Sequence, residues 1–282
     1  LMIRRPPRST HCISSAASDV YKRQKSDIAR GSASFDYASY REAWTDIIKA
    51  AEKHNEPGKF TTFIGYEWTS SFLPPDGASY HRNVLFNSSK APKRPFTRMD
   101  SMNPEDLWDW MDLMREKGLD SLAISHNSNQ SNGKTFRLAY YDGRPLDQAY
   151  AEQRMRNEPL VEITQIKGTS ETHPRLSPKD EWAGFEILNT RKGKVNFYSN
   201  PHGSYVREAL MNGMALEKEN RGNPFKIGFI GSSDNHNSSG SYEEDNYFGT
   251  TPLTSSPLSL SLIHISEPTR PLYISYAVFC LK

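Results

Sequence analysis

The segment with the clearest chemical potential is Gly231-Ser232-Ser233-Asp234-Asn235-His236. It follows an apolar run, residues 227–230, which predicts a buried strand. Because side chains alternate along an extended chain, Asp234 and His236 are expected to point the same way. That pairing suits a metal site or an acid–base site. It fits equally an ordinary polar turn in which Asp234 caps a backbone amide.

Other residues that can bind a metal ion lie beside predicted strands in the same manner. In α/β folds the chemistry lies beyond the carboxyl ends of the strands, so these side chains are expected to meet at one rim. His81 is the exception, because it opens its strand instead of ending it. The candidates are Glu67 after residues 60–66, His81 at the start of 81–86, His126 after 121–125, and Glu171 a few residues after 160–166.

The elements that must position these residues alternate between helix and strand. Further strands are predicted at residues 184–188 and 226–230, and helices at 40–54, 104–117, 145–157 and 205–219. This alternation predicts an α/β fold in which βα units surround a mainly parallel sheet, either open or closed into a barrel.

Each candidate taken alone also has a structural interpretation. Glu67 could pair with Arg82, His126 could be a satisfied core histidine, and Glu171 and His173 could belong to a solvated loop. The combination favours a metal site, because several such side chains beside the strands of one pattern are not expected by chance. Imidazole and carboxylate ligands together suit Zn, Mn or Fe better than Ca.

Composition limits the class of protein. The chain has 282 residues and a formal net charge of +2, which argues against nucleic acid as a main partner. No apolar stretch is long enough to span a membrane. Its two cysteines, Cys12 and Cys280, lie at opposite ends, which excludes a disulfide framework and a cysteine-based zinc site. The Asn, Ser, Lys and Thr content of residues 127–135 and 167–180 predicts a small polar or anionic substrate as the partner.

The two ends of the chain differ in character from its interior. Residues 1–24 and 252–282 show no clear periodicity that continues the interior pattern, and both resemble translated sequencing-adapter read-through. We expect residues 25–251 to be the natural domain and both tails to be non-native.

Several motifs together resemble the bacterial family called domain of unknown function 3604. They are GYEWTS, HRNVLF, NPEDLW, AISHNSN, QIKGTSETHP and GSSDNH, followed by EEDNYFG. That family is similar to the PHP (polymerase and histidinol phosphatase) superfamily. The resemblance implies a distorted (β/α) barrel, here partial, with two or three divalent metal ions in the full-length parent and hydrolysis of phosphoesters.

The resemblance also assigns residues. Glu67 matches a metal-bridging glutamate, His81 and His126 match the next two histidines, and Asp234 and His236 match the closing Gly-Ser-Asp-x-His motif, here with an extra serine. The superfamily's opening His-x-His motif has no counterpart in residues 25–60. We therefore expect the parent's N-terminal ligands to be missing from this chain, which would be inactive or impaired.

Two functions follow as hypotheses. The first is a metal-dependent hydrolase of phosphate or related esters, in which a metal-bound hydroxide is the nucleophile and His126, Asp234 and His236 are catalytic. The second is a non-catalytic domain that binds a polar ligand or carbohydrate in the same pocket, with Trp68 and Trp182 as sugar contacts. Charge and position suggest substrate contacts for Arg82, Lys167, His173 and Arg175.

Overall fold

A computed structural model describes residues 37–73, 75–165, 167–188, 190, 198–232 and 234. The chain forms two compact units. Of the described residues, 37–43 and Asp234 belong to the first unit. The described residues from Trp44 to Ser232 belong to the second, which holds the sheet and nearly all the contacts discussed below.

Four α-helices form where the sequence predicts them, within a few residues at each end. They are α1 (Tyr37–His54), α2 (Pro104–Glu116), α3 (Gln148–Asn157) and α4 (Val206–Lys218). The start of α2 is typical: the Asn103 side chain accepts a hydrogen bond from the Glu105 amide, and Pro104 occupies the first helical position. Helix α3 is capped in the same way by Asp147, which accepts from the Tyr150 amide.

Six strands form one open sheet. They are β1 (Gly65–Ser71), β2 (Ser79–Phe86), β3 (Ser121–His126), β4 (Leu160–Gln165), β5 (Gly168–Thr169) and β6 (Gly228–Gly231). The order is β1-β2-β3-β4-β5, and β6 pairs with β4. The fold is therefore mixed α/β, as expected, but across the described residues the sheet does not close into a barrel.

The prediction of mainly parallel strands is wrong for these residues. Strands β1–β2, β2–β3 and β4–β5 pair antiparallel, whereas β3–β4 and β4–β6 pair parallel. The pairing of Phe86 with Ser121 shows the cause, since the chain re-enters the sheet at the end where it left. Because β3 returns alongside β2 in the opposite direction, this strand–helix–strand unit is not a parallel crossover.

Two strand predictions also need correction. The strand predicted at residues 60–66 begins only at Gly65, because Phe60 pairs back locally with Glu56 and so does not join the sheet. Glu67 is consequently an interior residue of β1 and does not follow a strand. Residues 184–188 form turns and irregular structure where a minor strand is predicted.

The core lies between one face of the sheet and the helices. Trp108 on α2 and Trp68 on β1 are fully buried, and Trp44 on α1 donates its indole N–H to the Pro92 carbonyl at 2.7 Å. Other members are Ile64, Tyr80, Val84, Phe86, Leu107, Met111, Ala123, Phe136, Tyr150, Val161 and Phe225. Of the helices in the described part of the chain, none combines the length and apolarity needed to cross a membrane.

Candidate metal centre

Glu67, His81 and His126 lie on one face of the sheet, on three successive strands. His81 is directly opposite His126 across the β2–β3 pair. On the other side of β2, His81 is opposite Thr69, two residues beyond Glu67. Residues two apart on a strand share a face, so Glu67 is the diagonal neighbour of His81. The register of the three strands therefore brings the three side chains together on one face of the sheet.

The ligand atoms of these residues lie within 4.8 Å of one another. Glu67 Oε1 is 2.7 Å from His81 Nδ1 and 3.8 Å from His126 Nε2. The two imidazole rings meet edge to face, with centroids 5.6 Å apart. Two histidines and one glutamate are a ligand set of catalytic zinc sites, which leave one coordination position for water or substrate.

Burial and charge in this cluster act in opposite directions on Glu67. His81 and His126 are 5% and 1% exposed, whereas 26% of the Glu67 side chain is exposed, so the cluster opens to solvent at the carboxylate. Burial favours the neutral carboxyl, but His81 and His126 more than offset this and hold the pKa of Glu67 well below its ordinary value. The carboxylate is therefore ionised at neutral pH, as a metal ligand must be.

The two histidines differ in how their ring nitrogens are occupied. His81 Nδ1 faces Glu67, and its Nε2 lies 2.7 Å from the Ser71 hydroxyl. Neither ring nitrogen of His126 has a hydrogen-bond partner among the described residues, although the ring is buried. Buried polar atoms without a partner are costly, and a bound ion is one of their common explanations. The His126 ring thus fits a metal ligand better than a satisfied core histidine.

The segment after His126 is buried and polar. Asn129 is fully buried, and its amide donates hydrogen bonds to the carbonyls of Lys167 and Leu188 at 3.0 and 2.8 Å. Further along, Gly133 and Gly203 pack backbone to backbone with φ of 80° and 76°. A Cβ built on Gly203 would lie 2.5 Å from the Gly133 carbonyl oxygen. These contacts hold the segment that follows the β3 ligand.

We expect Gly203→Ala to lower the free energy of unfolding by more than about 1 kcal/mol, because it combines an unfavourable positive φ with a backbone clash. Gly143→Ala is the matched control, since Gly143 has φ of 94° but open space around its Cα. Urea unfolding measures both. Equal losses in the two variants would show that the close approach of Gly133 and Gly203 contributes nothing.

Glu162 on β4 is a buried carboxylate near this cluster that the sequence prediction missed. Only 2% of the surface of Glu162 is exposed to solvent. Burial raises its pKa, and the charge of His126 partly opposes that effect. The side chains of Gln165 and Ser232 lie within hydrogen-bonding reach. Its Oε1 has no partner among the described residues.

Arg82 lies on the opposite face of β2 from His81. Its guanidinium is fully buried, 2.9 Å from Glu158 and 4.1 Å from the centre of the Tyr80 ring. Glu158 also binds Arg154 at 3.0 Å. Arg82 therefore pairs with Glu158 and not with Glu67. Because it lies buried on the other face of the sheet, it is not part of the proposed site.

The predicted residues of the loop after β4 have other partners. Glu171 is exposed and forms an ion pair with Arg207, which also binds Asp180 at 2.6 Å. His173 is 7% exposed, packs on Tyr205 and accepts a hydrogen bond from the Arg175 amide at 3.1 Å. Burial and the nearby Arg175 lower the pKa of His173. None of these residues joins the three-residue group.

Lys167 and Arg175 are placed differently from each other. Lys167 is half-buried, and its charge acts on the carboxylate of Glu162. Arg175 is exposed. Of these two predicted cations, Lys167 is therefore the one associated with the metal-binding cluster, because its charge acts on Glu162.

The closing motif is described only in part. Strand β6 forms as predicted, at Gly228–Gly231. Asp234 is half-buried with φ of 49° and belongs to the first unit. His236 lies outside the described residues. Their predicted role as ligands stays a prediction.

The two tryptophans predicted to contact sugar differ in exposure. Trp68 is fully buried under Arg82 and Tyr80, so it cannot stack on a ligand. Trp182 is 71% exposed, and its indole N–H donates a hydrogen bond to the carboxylate of its neighbour Glu181 at 3.1 Å. The carbohydrate-binding hypothesis therefore keeps only Trp182 of its two predicted aromatic contacts.

Sequence reasoning missed Glu162 and Ser71 because it looked only at strand ends. The alternation in Leu160-Val161-Glu162-Ile163 was the available signal, since it places a carboxylate between buried apolar residues of a strand. Ser71 carries no such signal, because its contact with His81 depends on the β1–β2 register.

Comparison with known proteins gives one match. The family model described as Protein of unknown function (DUF3604) matches residues 7–269. No curated protein and no solved structure matches the chain. Because the family model covers most of the sequence, this chain belongs to the DUF3604 family.

Proposed function

We propose that this protein is a metal-dependent hydrolase of phosphate or related esters, of the PHP type that its motifs resemble. The observation that carries the proposal is the convergence of Glu67, His81 and His126, whose ligand atoms lie within 4.8 Å on one face of the sheet. Their donors match Zn, Mn or Fe. The orphaned nitrogens of buried His126 are what a ligand lacking its ion would present.

A divalent ion held by these three residues would polarise an ester and lower the pKa of a bound water to about 7. Glu67 supplies the negative charge of the site and is its solvent-facing member. Ser71 contacts one nitrogen of His81 and so holds the ring in place. Lys167, whose charge acts on Glu162, would supply a positive charge for an anionic substrate.

The finer parts of the proposal rest on the resemblance alone. In the PHP pattern, Asp234 and His236 would complete the ligand set and assist catalysis together with His126. A distorted barrel and a cluster of two or three divalent ions are further parts of the proposal that come from this resemblance. Turnover by the present chain is expected to be low, because residues 25–60 contain no His-x-His motif.

The test is metal-dependent turnover of generic phosphoesters. The chain is stripped with a chelator, reloaded with Zn²⁺, Mn²⁺ or Fe²⁺, and assayed with p-nitrophenyl phosphate and bis(p-nitrophenyl) phosphate. We expect slow hydrolysis that requires the ion and disappears in Glu67→Gln. Glu116→Gln, an exposed glutamate on α2, is the control and keeps the activity. Hydrolysis that is the same after chelation and in Glu67→Gln would overturn the proposal.

A further inference from the structure

Glu162 is a buried carboxylate with an unused oxygen. The residue is 2% exposed, and its Oε1 accepts no hydrogen bond from any residue that the structure describes. The side chains of Gln165 and Ser232 lie within hydrogen-bonding reach of the carboxyl group, but neither of them bonds to Oε1. A carboxylate oxygen buried in this way requires a donor or a cation, because leaving it unpaired is costly.

The sheet places Glu162 beside His126. In the parallel β3–β4 pair, Ile124 is opposite Leu160 and Ser125 is opposite Val161. Continued by one residue, this register would set His126 opposite Glu162 on the same face. His81, His126 and Glu162 would then form one row across β2 to β4, with Glu67 on β1 as the diagonal neighbour of His81.

His126 has a complementary need. Its Nε2 is the nitrogen recorded 3.8 Å from Glu67, on the side of the three-residue group. Its Nδ1 is buried and has no hydrogen-bond partner in the part of the chain that the structure describes. Histidines that bind metals almost always donate the other ring N–H to a carboxylate, carbonyl or water, which fixes the tautomer and the ring orientation. The ring nitrogen of His126, on β3, and the Oε1 atom of Glu162, on β4, are therefore an unsatisfied donor and an unsatisfied acceptor on adjacent strands.

We propose that Glu162 is the positioning residue of His126: it accepts a hydrogen bond from the ring nitrogen that does not face the metal. This inference rests on the proposed function, since it assumes that Glu67, His81 and His126 hold a divalent ion. Glu162 lies outside that three-residue group, so the geometry assigns it to orientation and not to coordination. In the structure neither Oε1 of Glu162 nor a ring nitrogen of His126 has a hydrogen-bond partner among the described residues; with an ion held by the three ligands, Glu162 would accept the hydrogen bond from the His126 Nδ1–H.

Metal affinity measured without any substrate tests the inference. Zn²⁺ affinity is obtained by competition with a chromophoric chelator, and Co²⁺ substitution gives a visible spectrum that reports coordination number. We expect Glu162→Gln to weaken affinity by about 10- to 100-fold, with unchanged stoichiometry and an unchanged number of Co²⁺ ligands. Glu162→Asp keeps the charge but shortens its reach, and it is expected to recover part of the affinity.

Glu171→Gln is the matched control, because Arg207 already holds that carboxylate; we expect wild-type affinity. Wild-type affinity in folded Glu162→Gln, or a lower Co²⁺ coordination number in that variant, would overturn the positioning role and leave the proposed function standing. A wild-type chain that binds none of the ions would overturn both. If Glu162→Gln does not fold, Glu162→Asp decides: affinity equal to wild type would refute the inference.

Discussion

Glu158→Gln is expected to lower the free energy of unfolding by about 3–5 kcal/mol, the cost of breaking a buried ion pair by removing one partner. Glu158 is 1% exposed and lies between the guanidinium groups of Arg82 and Arg154, at 2.9 and 3.0 Å. Glutamine preserves the shape but leaves two buried cations without a counter-charge. Because domains are stable by only about 5–15 kcal/mol, this loss is a large fraction of the total.

Urea unfolding followed by circular dichroism measures the effect. Glu152→Gln is the control, since Glu152 is exposed on α3, the helix that ends just before Glu158, where it accepts a hydrogen bond from Gln148. Its change is expected to stay within about 0.5 kcal/mol. If the two variants unfold at the same urea concentration, the buried ionic group is not the stabilising feature we describe.

The same pair predicts a pH dependence. Burial favours neutral Glu158, but Arg82 and Arg154 more than offset it and lower the pKa of the carboxyl. The contribution of a carboxyl with a lowered pKa is complete above its unfolded value of about 4.3 and is lost as pH falls through the folded value. The difference in stability between wild type and Glu158→Gln should therefore be constant from pH 7 to about 5 and shrink below about 4. A difference that grows on acidification would contradict this.

His126→Ala is expected to have the largest effect on metal binding. It removes the most deeply buried ligand of the candidate centre and leaves Glu67 and His81, which already contact each other at 2.7 Å. The loss of affinity should exceed the roughly 10- to 100-fold that follows loss of an outer partner. Competition with a chromophoric chelator for Zn²⁺ gives the value.

His202→Ala is the matched control for this change. His202 is exposed, and its side chain pairs with Glu208 at 2.6 Å, away from the three-residue group. It should keep wild-type affinity. Equal weakening in the two histidine variants would mean that the metal is bound non-specifically, and the candidate centre would have to be abandoned.

Local signals in the sequence predicted local features well. The cap at Asn103 and the proline after it define the start of α2, because they act within one turn. Glu67, His81 and His126 were recognisable as metal-competent from their positions beside apolar runs, and the structure brings them together. The face of Arg82 was also predictable, since it follows His81 in a strand and must point the other way.

Non-local features were beyond the sequence pattern. The antiparallel pairing of β2 with β3 depends on the path of residues 87–103, which no periodicity records. Whether Glu162 lies beside His126 depends on the β3–β4 register, and the partner of Glu171 depends on where α4 presents Arg207. Alternation states which residues share a face, but only the register states which residues meet.

The neighbouring positions of His81 and Arg82 restrict how β2 can change in evolution. One residue serves the candidate metal centre and the next serves the buried ion pair, on opposite faces of one strand. Inserting or deleting a single residue within β2 would exchange them, placing a guanidinium among the ligands and an imidazole between Glu158 and the core. Length variation among relatives should therefore be accommodated in the turn between β1 and β2, while β2 itself tolerates substitutions but not indels.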